Sequence, residues 1–122
     1  MKGIVITADD RISIRDFSAP LYKSVGETVD GFIEIVHPIG LLNPYCIIVN
    51  EEGIVRGLKI NRVGSLLYGS HFHGNPILGD LVVMKTEFTP EGPDIVGLED
   101  DELQHLYKLL KDYSLTPVET SD

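Results

Sequence analysis

The chain is 122 residues long, enough for one domain, and 43% of its residues are hydrophobic, as in ordinary globular proteins. Its formal net charge is −9, from 19 acidic and 10 basic side chains, which disfavours general binding to the nucleic-acid backbone. The sequence has no apolar run approaching the roughly 20 residues of a membrane-spanning helix, and its first ten residues contain no export signal. We therefore expect a cytoplasmic protein without a membrane partner.

The N-terminal segment predicts a β-hairpin. Residues 3–7 (GIVIT) and 11–17 (RISIRDF) are strand-like, and residues 8–10 (ADD) suit the turn between them. Hydrophobic and polar residues alternate in the second strand, so we expect Ile12 and Ile14 to face inward.

A helix is predicted to begin near Pro20, because proline is tolerated in a first helical turn. Leu21, Val25 and Val29 recur every four residues and form one apolar stripe. Gly31 can adopt the positive φ that ends many helices, so the helix is predicted to end there.

Two further strands are predicted at residues 32–37 (FIEIVH) and 45–49 (YCIIV). Residues 50–53 (NEEG) resemble a hairpin turn, which predicts that residues 54–56 pair antiparallel with 45–49, with 32–37 alongside. The single cysteine, Cys46, lies in an apolar run and is predicted to be a buried structural thiol.

The second half predicts two helices and one more strand. Residues 62–68 predict one or two helical turns with Asn61 as the N-cap, and residues 77–87 predict a strand. The proline- and glycine-rich residues 89–93 predict a break. Residues 98–113 are the strongest helix, with acidic residues in its first turn, where the helix dipole favours them.

These elements predict one α+β domain over residues 1–115, followed by a flexible tail at 116–122. The predicted sheet is antiparallel with five or six strands. The two main helices are expected to pack mostly on one of its faces.

Five short motifs resemble a known family. They are GFIEIV (residues 31–36), NEEG (50–53), GLKIN (57–61), ILGDLVV (77–83) and DDEL (100–103). Together they resemble the domain-of-unknown-function family numbered 3846, whose members are small proteins of phages, prophages and mobile elements. The resemblance covers residues 2–110. It implies a phage or mobile-element protein acting in the cytoplasm of a bacterial host, and it brings no catalytic residues with it. Several small phage proteins of this size counter host immunity, either by sequestering nucleotide signals or by binding a defence enzyme, and the analogy of setting implies a similar role here.

The middle of the chain is locally cationic. Residues 53–86 contain four basic side chains and one acidic side chain, and the polar residues after the predicted hairpin suit a phosphate and a base edge. Two tyrosines can stack on a base, and a glycine-rich loop carries two histidines. The residues predicted to bind such a ligand are Arg56, Lys59, Asn61, Arg62, Tyr45, Tyr68, His71 and His73. The alternative is that these are solvated charges, loop histidines and tyrosines at the edge of the core.

His71 and His73 flank Phe72 in an H-x-H pattern, which in an extended segment can hold one metal ion if a third ligand is recruited. His37, Asp80 and Cys46 are the candidates for that ligand. Two solvated loop histidines are the simpler interpretation, and neither a metal nor another cofactor is predicted.

Residues 87–102 favour a different function. Seven acidic side chains lie between residues 87 and 105 with no lysine or arginine, and such a surface can occupy a basic groove on a host protein. The alternative is a solubilising loop followed by a well-capped helix.

The predicted function is therefore non-enzymatic binding. The leading hypothesis is sequestration of a small anionic ligand, a nucleotide signal, in a homo-oligomer whose subunit contacts complete the pocket. The alternative is an acidic protein that inhibits a host protein through residues 87–102. A nucleotide hydrolase ranks third, because no metal-site or nucleophile motif supports it.

Overall fold

The computed structural model describes residues 1–70 and 74–115. Within these residues one six-stranded antiparallel sheet carries three helices, which confirms the predicted α+β class. The strands are β1 (Lys2–Ile6), β2 (Ile12–Asp16), β3 (Ile33–Val36), β4 (Tyr45–Asn50), β5 (Leu81–Thr89) and β6 (Gly92–Val96). The helices are α1 (Leu21–Val29), α2 (Arg62–Tyr68) and α3 (Asp100–Leu115). The predicted tail, residues 116–122, lies outside the described residues.

The long strand β5 organises the sheet. The strand order is β2-β1-β5-β4-β3, and β6 also pairs with β5. β1 pairs with the first half of β5, where Ile4 lies opposite Val83, and β6 pairs with its second half, where Thr86 lies opposite Ile95. β1 and β6 therefore lie end to end along one side of β5, while β4 runs along the other side.

Both faces of the sheet are hydrophobic. The apolar runs of β4 and β5 are uninterrupted, and successive side chains of a strand point to opposite faces. Ile47 packs with Leu106 on the face covered by α2 and α3, which we call the α3 side. Ile48 packs with Val25 on the face covered by α1, the α1 side. The prediction that the main helices lie mostly on one face is wrong, because each apolar face needs its own cover.

The end of α1 differs from the prediction in one detail. Its apolar stripe is buried as expected: Leu21, Val25 and Val29. The residue with positive φ is Asp30, at 63°, and not Gly31. Glycine is required at position 31 for space, because a Cβ there would lie 2.7 Å from the side-chain nitrogen of Asn50.

Residues 51–57 do not form the predicted hairpin strand. They form a series of turns that leaves the side chains of Ile54 and Val55 80% and 85% exposed. The turn begins where the Asn50 side chain accepts a hydrogen bond of 2.7 Å from the Glu52 N–H. β4 already pairs with β3 on one side and β5 on the other, so a third partner has no place beside it.

Two other local predictions were wrong. Ile12 is buried on the α3 side, but Ile14 is 43% exposed, because β2 is an edge strand and the core on that face reaches only its first residue. Residues 89–93 are the tip of a hairpin and not a break. The turn between β5 and β6 is closed by the Thr89 hydroxyl, which donates to the Gly92 carbonyl at 2.7 Å.

The predicted helices at 62–68 and 98–113 are confirmed as α2 and α3. Among the described residues, no helix combines the length and the hydropathy needed to cross a bilayer.

Candidate binding surfaces

Arg56 is tied to the end of α1. Its Nη2 lies 2.8 Å from the Asp30 carboxylate, and its Nη1 donates to the main-chain carbonyl of the same residue. The guanidinium thus fastens the 51–57 turns to the C-terminus of α1. An anion that bound Arg56 would compete with the Asp30 carboxylate.

Asn61 is completely buried. Its amide nitrogen donates to the main-chain carbonyls of Ile6 at 3.0 Å and Gly79 at 2.9 Å. Its amide oxygen accepts a 2.9 Å hydrogen bond from the Gly64 N–H, which confirms the predicted N-cap. Asn61 therefore joins β1, α2 and the approach to β5, and it does not lie on a surface where a ligand would meet it.

Lys59 and Arg62 are brought together by the turn between β1 and β2. The Lys59 ammonium lies 2.7 Å from the Asp9 carboxylate, and Arg62 Nε lies 3.3 Å from the Asp10 carboxylate. Arg62 also donates to the main-chain carbonyl of Ser114. The hydrogen bond and the charge of Lys59 lower the pKa of Asp9, and Asp9 raises the pKa of Lys59 for the same reasons. The predicted cationic cluster is thus paired with carboxylates.

Tyr45 belongs to a different part of the molecule. Its hydroxyl donates to one carboxylate oxygen of Glu102 at 2.8 Å, and the Lys85 ammonium donates to the other at 2.7 Å. The hydrogen bond to Glu102, followed by burial, raises the pKa of Tyr45. The Glu102 carboxylate also accepts from the Glu99 N–H at 2.9 Å, so it caps the start of α3.

Tyr68 borders a groove of about 240 Å³ on the α3 side of β3. Glu34, Glu51 and Asn75 also line it, together with apolar side chains, and none of its described lining residues is a lysine or arginine. This chemistry does not match a phosphate group. The six predicted ligand-binding residues that the structure describes are therefore not gathered into one site, and His71 and His73 lie outside the described residues.

The predicted buried thiol is confirmed. Cys46 is fully buried, and burial raises the pKa of its thiol to about 11. In the described part of the chain, no group of three or more His, Cys, Asp or Glu side chains is placed to hold a metal ion. The H-x-H alternative rests on His71 and His73, so the described residues do not test it.

The second half of the chain builds what we call the acidic face, defined by Glu87, Asp94, Glu99 and Asp101. All four side chains are exposed. Glu87 on β5 lies directly opposite Asp94 on β6. Glu99 and Asp101 at the start of α3 lie close enough to Lys85, two residues before Glu87, to raise its pKa, although the Glu102 hydrogen bond is the main cause.

Family membership follows from the whole chain and not from these surfaces. The family model described as a domain of unknown function, DUF3846, matches residues 1–113. The chain belongs to this family. No curated protein and no solved structure matches it significantly.

The DUF3846 match spans both the cationic cluster and the acidic face, so membership does not choose between them. The partners that sequence reasoning missed in this DUF3846 protein are Asp9, Asp10 and Asp30. Asp9 and Lys59 are 50 residues apart, and no periodic pattern links them. The consecutive acids at positions 9 and 10 in a predicted turn were the only local signal.

Proposed function

We propose that this DUF3846 protein is a non-enzymatic binding protein that docks its acidic face onto a basic surface of a host protein. One observation carries the proposal: Glu87 and Asp94 lie directly opposite each other on β5 and β6. Like charges at such positions repel and destabilise a sheet, so the pair costs stability that a cationic partner would restore.

The contrast between the two charged regions supports this choice. Each of the three cations in the predicted anion site, Arg56, Lys59 and Arg62, lies against a carboxylate of the same chain. On the acidic face, the described residues provide no ion pair for Glu87 or Asp94. An acidic surface with unneutralised charge attracts a basic partner over a distance of about 10 Å at moderate salt and speeds encounter.

Phe88 supplies an exposed apolar side chain on the other face of the same hairpin. It lies between Glu87 and the hairpin tip, points to the opposite face of the strand and is 90% exposed. Aromatic side chains at the centre of an interface often contribute most of its affinity, while surrounding charges set orientation. The proposed partner therefore has a basic groove that encloses the β5–β6 hairpin, with an apolar pocket on the side that faces Phe88.

The biological setting rests on the resemblance to phage and mobile-element proteins. In that setting the partner would be a nucleic-acid-binding or defence protein in the cytoplasm of a bacterial host, with its basic groove occupied by the acidic face. Sequestration of a nucleotide stays a prediction that needs an anion to displace Asp9, Asp10 or Asp30 from their cations. Hydrolysis of such a ligand stays the third alternative.

The test compares capture by three immobilised proteins from a host extract, with quantitative mass spectrometry of what each retains. One is the wild type, and the second is Glu87→Lys/Asp94→Lys, which keeps a like-charge pair but reverses its sign. The control is Glu51→Lys/Glu52→Lys, which changes the net charge equally at exposed turn residues. We expect a basic host protein that binds the wild type to bind the control variant as well, but not Glu87→Lys/Asp94→Lys. Loss from both variants, or from neither, would contradict a specific acidic docking face.

A further inference from the structure

The sheet has three open edges among the described strands, and they differ in how they are protected. β2 carries Arg15 and Asp16, and β6 carries Pro93 and Asp94, which are residues that discourage pairing with another chain. β3 has the sequence IEIV, with Glu34 as its only charged residue. In the part of the chain that the structure describes, β4 is the only strand that pairs with it. β3 is therefore the least protected edge.

The hydrogen bonding of β3 defines which backbone groups are open. The Glu51 N–H donates to the Phe32 carbonyl at 2.9 Å, so the backbone of residue 32 points toward β4. Backbone groups alternate along an antiparallel strand, so those of residues 34 and 36 also point toward β4. The N–H and C=O groups of Ile33 and Ile35 consequently point outward, where a further strand would meet them.

Exposed apolar side chains flank this edge on both faces. On the α1 side, a groove of about 480 Å³ is lined by Tyr22, Phe32 and Ile33. On the α3 side, the groove of about 240 Å³ is lined by Ile54 beside Glu34 and Val36. An added strand would thus gain apolar contacts as well as main-chain hydrogen bonds.

We propose that the occupant of this edge is β3 of a second copy of the chain, paired antiparallel about a two-fold axis, so that one sheet runs through both copies. An interface of this kind is self-complementary, because each copy offers the same donors, acceptors and side chains. The β3 edge and β6 lie on opposite sides of β5. The proposed dimer is therefore independent of the proposed acidic docking face.

Charge and hydrogen bonding select one register. A pairing centred on residue 34 would set Glu34 against Glu34 of the second copy, which repels. A pairing centred on Ile33 would require the main-chain N–H of residue 31 to donate to the second copy. That N–H already donates to the Gly26 carbonyl at 3.0 Å. A pairing centred on Ile35 avoids both problems, because Ile35 meets itself and Glu34 meets Val36.

The same register also brings an imidazole of one copy toward a carboxylate of the other. It sets His37 of one copy opposite Ile33 of the other, and Ile33 lines the groove on the α1 side together with Glu27. Lys23 and Asp30 line that groove too, and the Asp30 carboxylate is already paired with Arg56. An imidazole N–H can donate a hydrogen bond to a carboxylate, so His37 of one copy has an acceptor in Glu27 of the other. This complementarity favours a second copy over an unrelated strand.

The first test is sedimentation velocity of the full chain over a range of concentrations. We expect the wild type to become a dimer as concentration rises and Ile35→Lys to stay monomeric, since a lysine at the centre of the pairing would be buried against its own copy. Ile14→Lys is the matched control, because Ile14 lies on the edge strand β2 and is 43% exposed against 37% for Ile35. A wild type that stays monomeric throughout, or dimers of Ile35→Lys, would overturn the proposal.

The second test determines the register by disulfide cross-linking, so it does not depend on a loss of association. In the proposed pairing the Cα atoms of the two residues 35 are about 5.5 Å apart, within the range of a disulfide, whereas those of the two residues 34 are about 7–8 Å apart. We expect Ile35→Cys to form a covalent dimer under mild oxidation and Glu34→Cys to remain monomeric on a non-reducing gel. The native Cys46 is fully buried and does not compete. The reverse pattern, or no covalent dimer of either variant, would overturn the proposed pairing.

Discussion

The Lys85 ammonium lies 2.7 Å from a carboxylate oxygen of Glu102, and both side chains are largely shielded from solvent. The pair connects β5 to the first turn of α3. Because Glu102 also accepts hydrogen bonds from the Tyr45 hydroxyl and the Glu99 N–H, one carboxylate joins two strands and a helix start. Removing the Glu102 carboxylate should therefore lower the free energy of unfolding by more than the loss of an ordinary surface ion pair does.

We predict that Glu102→Ala lowers the free energy of unfolding by about 2–4 kcal/mol, because it leaves Lys85 without its partner and removes the cap of α3. Chemical denaturation followed by circular dichroism measures the change. Lys2→Ala is the control: its ammonium lies 3.7 Å from an exposed Asp100 carboxylate, and its loss should change the free energy by less than about 1 kcal/mol. Equal effects of the two substitutions would contradict the structural role given to Glu102.

The Glu102 carboxylate also predicts that the free energy of unfolding falls at acid pH. Burial alone would raise the pKa of Glu102, but the hydrogen bonds from Lys85, the Glu99 N–H and Tyr45, with the charge of Lys85, together lower it below its ordinary value of 4.5. The unfolded chain then binds the proton more readily than the folded chain. This stability is present above pH 4.5 and is lost as the pH falls through the lower folded pKa.

Thermal unfolding of the wild type and Glu102→Gln at pH values from neutral to acid tests this sign. Glutamine can still cap the helix but does not titrate. The difference in melting temperature between the two proteins should shrink as the pH falls below 4.5. A difference that stays constant or widens on acidification would show that Glu102 is not the titrating group.

Asn61 gives a prediction that separates a structural amide from a ligand-binding one. Asn61→Ala should lower the free energy of unfolding by about 2–4 kcal/mol, because it leaves the Ile6 and Gly79 carbonyls and the Gly64 N–H without a partner. Asn61→Asp keeps the helix cap but sets a carboxylate against two carbonyl oxygens, so it should destabilise at least as much. Urea denaturation of both variants provides the measurement. If both variants are as stable as the wild type, the Asn61 amide is not structural, and Asn61 is again a candidate for ligand binding.

Local patterns in the sequence predicted the helices well and the strand partners poorly. The stripe of α1 and the acidic start of α3 depend on residues within a few positions of each other, and both were confirmed. The hairpin expected at residues 54–56 failed because β4 finds both its partners elsewhere in the chain. Its turn residues and apolar residues are also compatible with the compact turns that form instead.

The candidate site shows the same limit. Asn61 was correctly predicted as an N-cap, since a cap is a local relation. Its burial depends on the carbonyl of Ile6, which lies 55 residues away. Lys59 was predicted to bind an anionic ligand, and only the fold shows the Asp9 carboxylate beside it. A count of charges along the chain shows a cationic region, but only the fold shows which charges are already paired.

The pair of Glu87 and Asp94 should cost stability in the isolated protein. We predict that Glu87→Gln raises the free energy of unfolding by about 0.2–1 kcal/mol, because it removes the repulsion across β5 and β6. The gain should shrink in high salt, which screens exposed charges. Glu91→Gln is the control, since Glu91 lies in the turn and has no residue paired opposite it in the ladder. Denaturation at low and high salt is the measurement, and a loss of stability in Glu87→Gln would contradict the repulsion.

The pairing of Lys59 and Arg62 with the β1–β2 turn leads to a direct test of the anion hypothesis. Native mass spectrometry of the protein purified from a bacterial host, first under gentle and then under denaturing conditions, reports any nucleotide it carries. We expect none from the wild type, because Asp9 and Asp10 occupy the two cations. Asp9→Asn/Asp10→Asn releases those cations without removing them, so it should bind phosphate-bearing nucleotides more tightly than the wild type does. A nucleotide released from the wild type, and lost in Arg62→Ala, would instead favour sequestration over the acidic docking function.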